Sequence, residues 1–217
     1  RRPIPIDRFT TPPIADLIRR IVASRANVLV TGATSSGKTT LLAALCRTVA
    51  AGERLVLIED TAELDVGDRH AVRLEARRAI ADGPSAITQS ELVRTALRLR
   101  PDRLVVGEFR GAEVLAAVEA LNTGHDGSLS TCHANGPADG LRRIETLLLQ
   151  AAPTWPLVAI RRNVSRSLDI VIHVGRDARG ARRIEEIWEV TESGDEPHGR
   201  PLARCGAVVA ALERGRS

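Results

Sequence analysis

GATSSGKT, residues 32–39, fits the pattern G-x-x-x-x-G-K-[ST] with no departure. Its glycines let the backbone curl until successive N–H groups point inward at an anion. A helix starting near Lys38 aims the positive end of its dipole at the same spot. Lys38 is placed to neutralise the outer phosphates of a nucleotide, and the Thr39 hydroxyl to ligate Mg²⁺. Gly32, Ala33, Thr34, Ser35, Ser36, Gly37, Lys38 and Thr39, with Thr40 next in line, therefore read as a cradle for ATP and Mg²⁺. Lys38 is also the only lysine among 31 basic residues. A compact ammonium on a thin stem differs from a guanidinium fork where space is tight, so position 38 stands out from composition alone.

The flanks of this motif decide the fold class. NVLVT (27–31) is a short apolar run of the kind that forms a buried parallel strand. Residues 38–50 read as a helix stopped near Gly52. Further helices are expected over 14–24 behind Pro12 and Pro13, from the Thr88/Glu91 capping box to about residue 99, and over 111–121, 137–150 and 156–168. Strands are expected over 54–58, 71–74, 104–106 and 128–131, with a closing pair over 169–174 and 183–190 around Arg179-Gly180. Alternating strands and helices imply an α/β protein with a doubly wound, mostly parallel sheet flanked by helices. Residues 13–192 read as that one domain, 1–12 as a linker or the remnant of a preceding domain, and 193–217 as a poorly ordered extension. The stretch 76–86 reads as a mobile loop.

Composition narrows the class. Hydrophobic residues make up 43% and charged residues 27%, which excludes a mostly disordered chain. No apolar run is long enough to span a membrane. Three cysteines with no CxxC read as reduced thiols of a cytosolic protein. The absence of methionine reads as a piece of a longer chain. The net charge is +4, yet 31 basic residues nearly balance 27 acidic ones and no like-charge run is long. Nucleic acid is not expected as the main partner.

Hydrolysis needs a group that orients water and groups that hold the metal. Two candidate segments follow expected strands, where such sheets place ligands. IEDTAEL (58–64) offers Glu59, Asp60 and Glu63; LVVGEFRG (104–111) offers Glu108. Glu108 is cast as the water-polarising base close to the γ-phosphate and metal, and Glu63 as a second carboxylate, with the division of roles between them open. His133, after the strand 128–131, fits a γ-phosphate sensor, because an imidazole can bond a phosphate oxygen and report its loss. Arg73, Arg77, Arg78 and Arg110 lie near these segments, and none can be singled out from sequence.

Taken in order, GATSSGKT, IEDTAEL, LVVGE followed by FRG, and the box ending STCHAN resemble the type II/IV secretion system ATPase family. RPDRLVVGEFRGAE and LNTGHDGSLSTCHAN look most like its tight-adherence (Flp) pilus branch. The resemblance implies a RecA-like motor domain in a homo-hexameric cytoplasmic ring. It further implies docking on an inner-membrane platform protein, with membrane association through partners. It assigns Lys38 and Thr39 to nucleotide and Mg²⁺, Glu63 and Glu108 to catalysis, and His133 to phosphate sensing. Phe109 stands where the family carries a smaller aliphatic residue, a departure expected to affect packing. Two other readings stay open: a nucleic-acid-dependent motor on the same core, and a nucleotide-gated assembly module with little catalysis.

Overall fold

The computed structural model describes residues 3–79, 83–191 and 198–214. Nine strands form one sheet in the order β3-β2-β4-β5-β1-β6-β7-β8-β9. The strands are β1 (Val28–Gly32), β2 (Leu55–Glu59), β3 (Ala71–Glu75), β4 (Arg103–Phe109), β5 (Leu129–His133), β6 (Ile170–Arg176), β7 (Arg182–Thr191), β8 (His198–Arg204) and β9 (Ala207–Val208). β3 to β6 in that order run parallel, and β7, β8 and β9 continue antiparallel.

The continuous apolar runs follow from this placement. β1 and β2 are buried at every position. Val28 and Val30 face one core and Leu29 the other, the period-2 alternation of a strand covered on both faces. One core is roofed by α1 (Pro12–Ala23) and α2 (Lys38–Thr48). The other lies under α3 (Gln89–Leu97), α4 (Glu113–Leu121), α5 (Pro137–Ala151) and α6 (Leu157–Ser167).

Local chemistry sets the ends of these helices. Pro12 and Pro13 open α1, where the N–H groups that proline lacks would have found no partner within the helix. The Thr88/Glu91 capping box is present at α3, worth about 1 kcal/mol. α4 starts at Glu113 rather than 111, because the Glu113 carboxylate accepts the N–H groups of Arg110 and Gly111 and closes the helix from outside. Phe109 fills the second core, which agrees with a packing role.

Two expectations on the chain ends need correction. Residues 198–214 are not a poorly ordered extension: β8 pairs with β7, Leu202 and Ala203 are buried, and Arg214 reaches the fully buried Asp169 at 2.7 Å. Their glycine, proline and charge hide a strand whose partner is β7. Residues 192–197 and 215–217 lie outside the described residues. At the other end, Ile6 and Phe9 are buried in the first core, which counts against the linker alternative for residues 3–12 and leaves the remnant alternative untouched. Of the expected loop 76–86, residues 80–82 lie outside the described residues, and Arg77 and Ile87 pair in an isolated bridge.

Candidate functional site

β2, β4, β5 and β1 are consecutive neighbours and all parallel. Their carboxyl ends carry Glu59, Glu108, His133 and Gly32. Strands about 4.8 Å apart thus bring four segments spread over a hundred residues to one edge, where such sheets bind ligands. A cavity of about 230 Å³ opens there, lined by Glu59, Glu108 and His133 together with Thr34, Ser35, Lys38 and Thr39 of the loop that follows β1, and by Gln89. A larger groove of about 880 Å³ lies between residues 9–11 and β7–β8, away from these strand ends.

The P-loop is curled as its glycines require. Gly37 has φ +112, and a Cβ on Gly32 would collide with Val174 O and Ser36 Oγ. Lys38, 7% exposed, donates to Gly32 O and Ala33 O at 3.1 Å each and to His133 Nδ1 at 3.1 Å. An ammonium has no lone pair, so Nδ1 must be the acceptor and the imidazole proton sits on Nε2. Nε2 lies 3.0 Å from Glu108 Oε1, which is itself 3.9 Å from Lys38 Nζ. Lys38, neutral His133 and Glu108 therefore close a triangle at the mouth of the cradle. Burial pulls the Lys38 pKa below the ordinary lysine value, with the Glu108 carboxylate working in the opposite direction.

Glu108 is aimed by a bulge: the β4–β5 register shifts between Val106 and Phe109, so Gly107-Glu108 step out of the ladder. Gly107 also lets Glu59 approach, since a Cβ there would meet Glu59 Cγ at 3.3 Å. The other Glu108 oxygen is held by Arg110, whose Nη1 reaches Asp60 Oδ2 at 3.1 Å. Gln89 donates to Asp60 Oδ1 at 2.9 Å.

Lys38, Glu108 and His133 are brought together, while Glu63 lines the same cavity from its exposed rim. The Glu63 backbone N–H is fixed by Glu59 Oε1 at 2.9 Å; among the described residues its carboxylate has no hydrogen bond or ion pair. Glu59 is consumed internally, accepting from the N–H groups of Glu63 and Leu64 and lying 3.6 Å from Arg73. Among the arginines near the motifs, Arg110 lines the cleft; Arg77 turns to Ser85 O. Gln89 and Thr131 were not singled out in sequence. Gln89 reads there only as a helix residue, and Thr131, which bonds Gly107 O at 2.7 Å, as a strand residue.

No group of three or more His, Cys, Asp or Glu able to hold a metal by itself exists among the described residues. The donor set nevertheless fits Mg²⁺, which keeps several waters and takes one or two protein oxygens plus substrate phosphates. Thr39, Asp60 and Glu108, all oxygen-bearing side chains, line the cleft.

The sequence profile of the type II/IV secretion system protein family matches residues 9–199. A protein of Mycobacterium tuberculosis, provisionally named a conjugal transfer protein, is 46% identical over 81% of this chain and 49% of its own length. The conjugal transfer protein TrbB of Rhizobium radiobacter is 34% identical over 87% and 57% respectively. Among solved structures, the VirB11 ATPase of the Brucella suis type IV secretion system, in complex with sulphate, superposes with a TM-score of 0.73 at 31% identity, covering 82% of this chain and 52% of that one. The chain spans about half the length of the curated relatives it matches.

Proposed function

The chain belongs to the type II/IV secretion system protein family, and we propose that it is the ATP-hydrolysing motor part of a secretion, conjugation or pilus-assembly machine. The observation that carries the proposal is the Lys38–His133–Glu108 triangle at the mouth of a curled P-loop.

ATP would enter with its phosphates over the N-terminus of α2. Lys38 would turn from His133 Nδ1 to the phosphate oxygens, leaving the His133 Nδ1 lone pair without its donor. His133 is thereby a natural reporter of whether the outer phosphate is present. Glu108 would orient the attacking water and accept its proton as the new P–O bond forms and the bond to the β–γ bridging oxygen breaks. Thr39, with phosphate oxygens, would hold Mg²⁺, which supplies charge neutralisation when bound. Glu63 would act from the rim on water or metal.

A homo-hexameric ring with arginines contributed by neighbours, a platform partner at the cytoplasmic face of the inner membrane, and association with that membrane through partners complete the proposal. No helix among the described residues is long and apolar enough to cross a membrane. The test is steady-state phosphate release by the protein across protein concentration, with and without single-stranded DNA, beside Lys38→Ala. Turnover that rises per subunit with concentration, ignores DNA and is lost in Lys38→Ala supports the motor. Strict dependence on DNA would replace it with a nucleic-acid motor, and ATP binding without turnover with a nucleotide-gated module.

A further inference from the structure

The β6–β7 hairpin walls the outer side of the P-loop. Arg176, at the end of β6, donates twice to Ser35 O, at 3.1 and 2.8 Å, and once to Gly180 O at 2.9 Å. Ser35 has φ 60, a left-handed conformation that a residue with a side chain keeps only when its surroundings hold it. Arg182 stands directly opposite Arg176 in the antiparallel register. Its Nη1 donates to Thr40 Oγ1 at 2.9 Å, and its Cδ lies 2.6 Å from where a Cβ on Gly37 would be. One arginine closes the tip of the loop and the other closes the first turn of α2.

Thr40 lies in that first turn, whose N–H groups have no partner within the helix and are available to an anion. Lys38, His133 and Glu108 cluster where the outer phosphate is expected. Arg182 lies instead beside the stretch of cradle that ADP and ATP share. We propose that Arg182 is a nucleotide-positioning residue that acts through the Thr40 hydroxyl and over Gly37, with Arg176 holding Ser35, to fix the inner-phosphate half of the cradle. This inference rests on the reading of the P-loop as an ATP site.

The experiment measures Kd for ADP and for ATP by calorimetry, with the melting temperature of each protein. It compares wild type, Arg182→Ala, Arg182→Lys, Thr40→Val and the double variant Arg182→Ala/Thr40→Val. Arg182→Ala weakens ADP and ATP by the same factor, about tenfold, the scale of one charge-assisted hydrogen bond. Arg182→Lys keeps the stem over Gly37 and the charge but loses the fork, and falls between wild type and Arg182→Ala. Thr40→Val weakens both nucleotides, and the double variant is no weaker than the worse single one, because the two residues act as one unit. A merely structural arginine would lower the melting temperature without this non-additivity. Folded Arg182→Ala that binds ADP like wild type, or single effects that multiply in the double variant, overturns the inference. If Arg182→Ala does not fold, Arg182→Lys and Thr40→Val decide in the same way. Wild-type protein that binds neither nucleotide removes the ATPase reading as well; wild-type binding with unchanged variants removes only this inference.

Discussion

Glu108→Gln separates chemistry from binding at this site. The substitution keeps shape and removes one negative charge. A glutamine can still accept from His133 Nε2, which lies 3.0 Å from Oε1, but it cannot take a proton from water. A positioned general base contributes about 10²- to 10⁴-fold, so kcat should fall by that factor, about 3–5 kcal/mol in the barrier. The effect on affinity has the opposite sign. Oε1 stands 3.9 Å from Lys38 Nζ, where the outer phosphate must also come. Two unit charges about 4 Å apart interact by about 1 kcal/mol in water and about 4 kcal/mol at an effective dielectric of about 20. Removing the carboxylate relieves its repulsion of the phosphate and also the attraction that stabilises Lys38. ATP should therefore bind with affinity between unchanged and about tenfold tighter, a window of about 1.4 kcal/mol. The assay is single-turnover hydrolysis beside equilibrium titration of ATP. A kcat within threefold of wild type would refute Glu108 as the base and move the role to Glu63. Loss of affinity together with activity would show that the triangle had collapsed, and would refute the claim that glutamine preserves it.

Three further outcomes follow from the packing and the charges. Burial lowers the Lys38 pKa in the free protein, and phosphate oxygens favour its charged form; above the lowered pKa the free protein lacks a proton that the complex holds. Nucleotide binding in the alkaline range should therefore take up protons and weaken as pH rises, which calorimetry in two buffers of different ionisation enthalpy will read; release of protons would refute it. Burial pushes the Cys46 and Cys132 thiols up to about 12, whereas Cys205 is exposed, so a thiol reagent should label Cys205 in the native protein and all three cysteines only in denaturant. In α5, Gly140→Ala gains up to about 1 kcal/mol of helix propensity, but its Cβ would sit 2.5 Å from Thr31 Cγ2, on a side chain already tied to His173 Nδ1 at 2.9 Å. Overpacking of about 1–3 kcal/mol should win and lower the urea midpoint; a raised midpoint would show that α5 can lift off β1.

The sequence alone carried the strand–loop–helix unit around Lys38, the α/β class and the neighbourhoods of Glu108 and His133. Each of these is written locally: a glycine pattern that only a curled backbone needs, apolar runs that only a doubly covered strand tolerates, and acids placed just after such runs. Tertiary structure decided the rest, because it depends on which strands become neighbours. The order β2-β4-β5-β1 places Glu108 3.0 Å from His133 and 3.9 Å from Lys38 and leaves Glu63 on the rim. It also spends Glu59 on its own loop, although Glu59 and Glu63 look alike in IEDTAEL. Arg176 and Arg182 reach the P-loop from more than a hundred residues away, through a hairpin no local pattern ties to it. The strand His198–Arg204 was hidden for the same reason: its hydrogen bonds and buried face belong to β7. Backbone geometry and hydrophobic periodicity are properties of a segment and can be read from it, whereas distances between charges are properties of the packed sheet and exist only once the strands have paired.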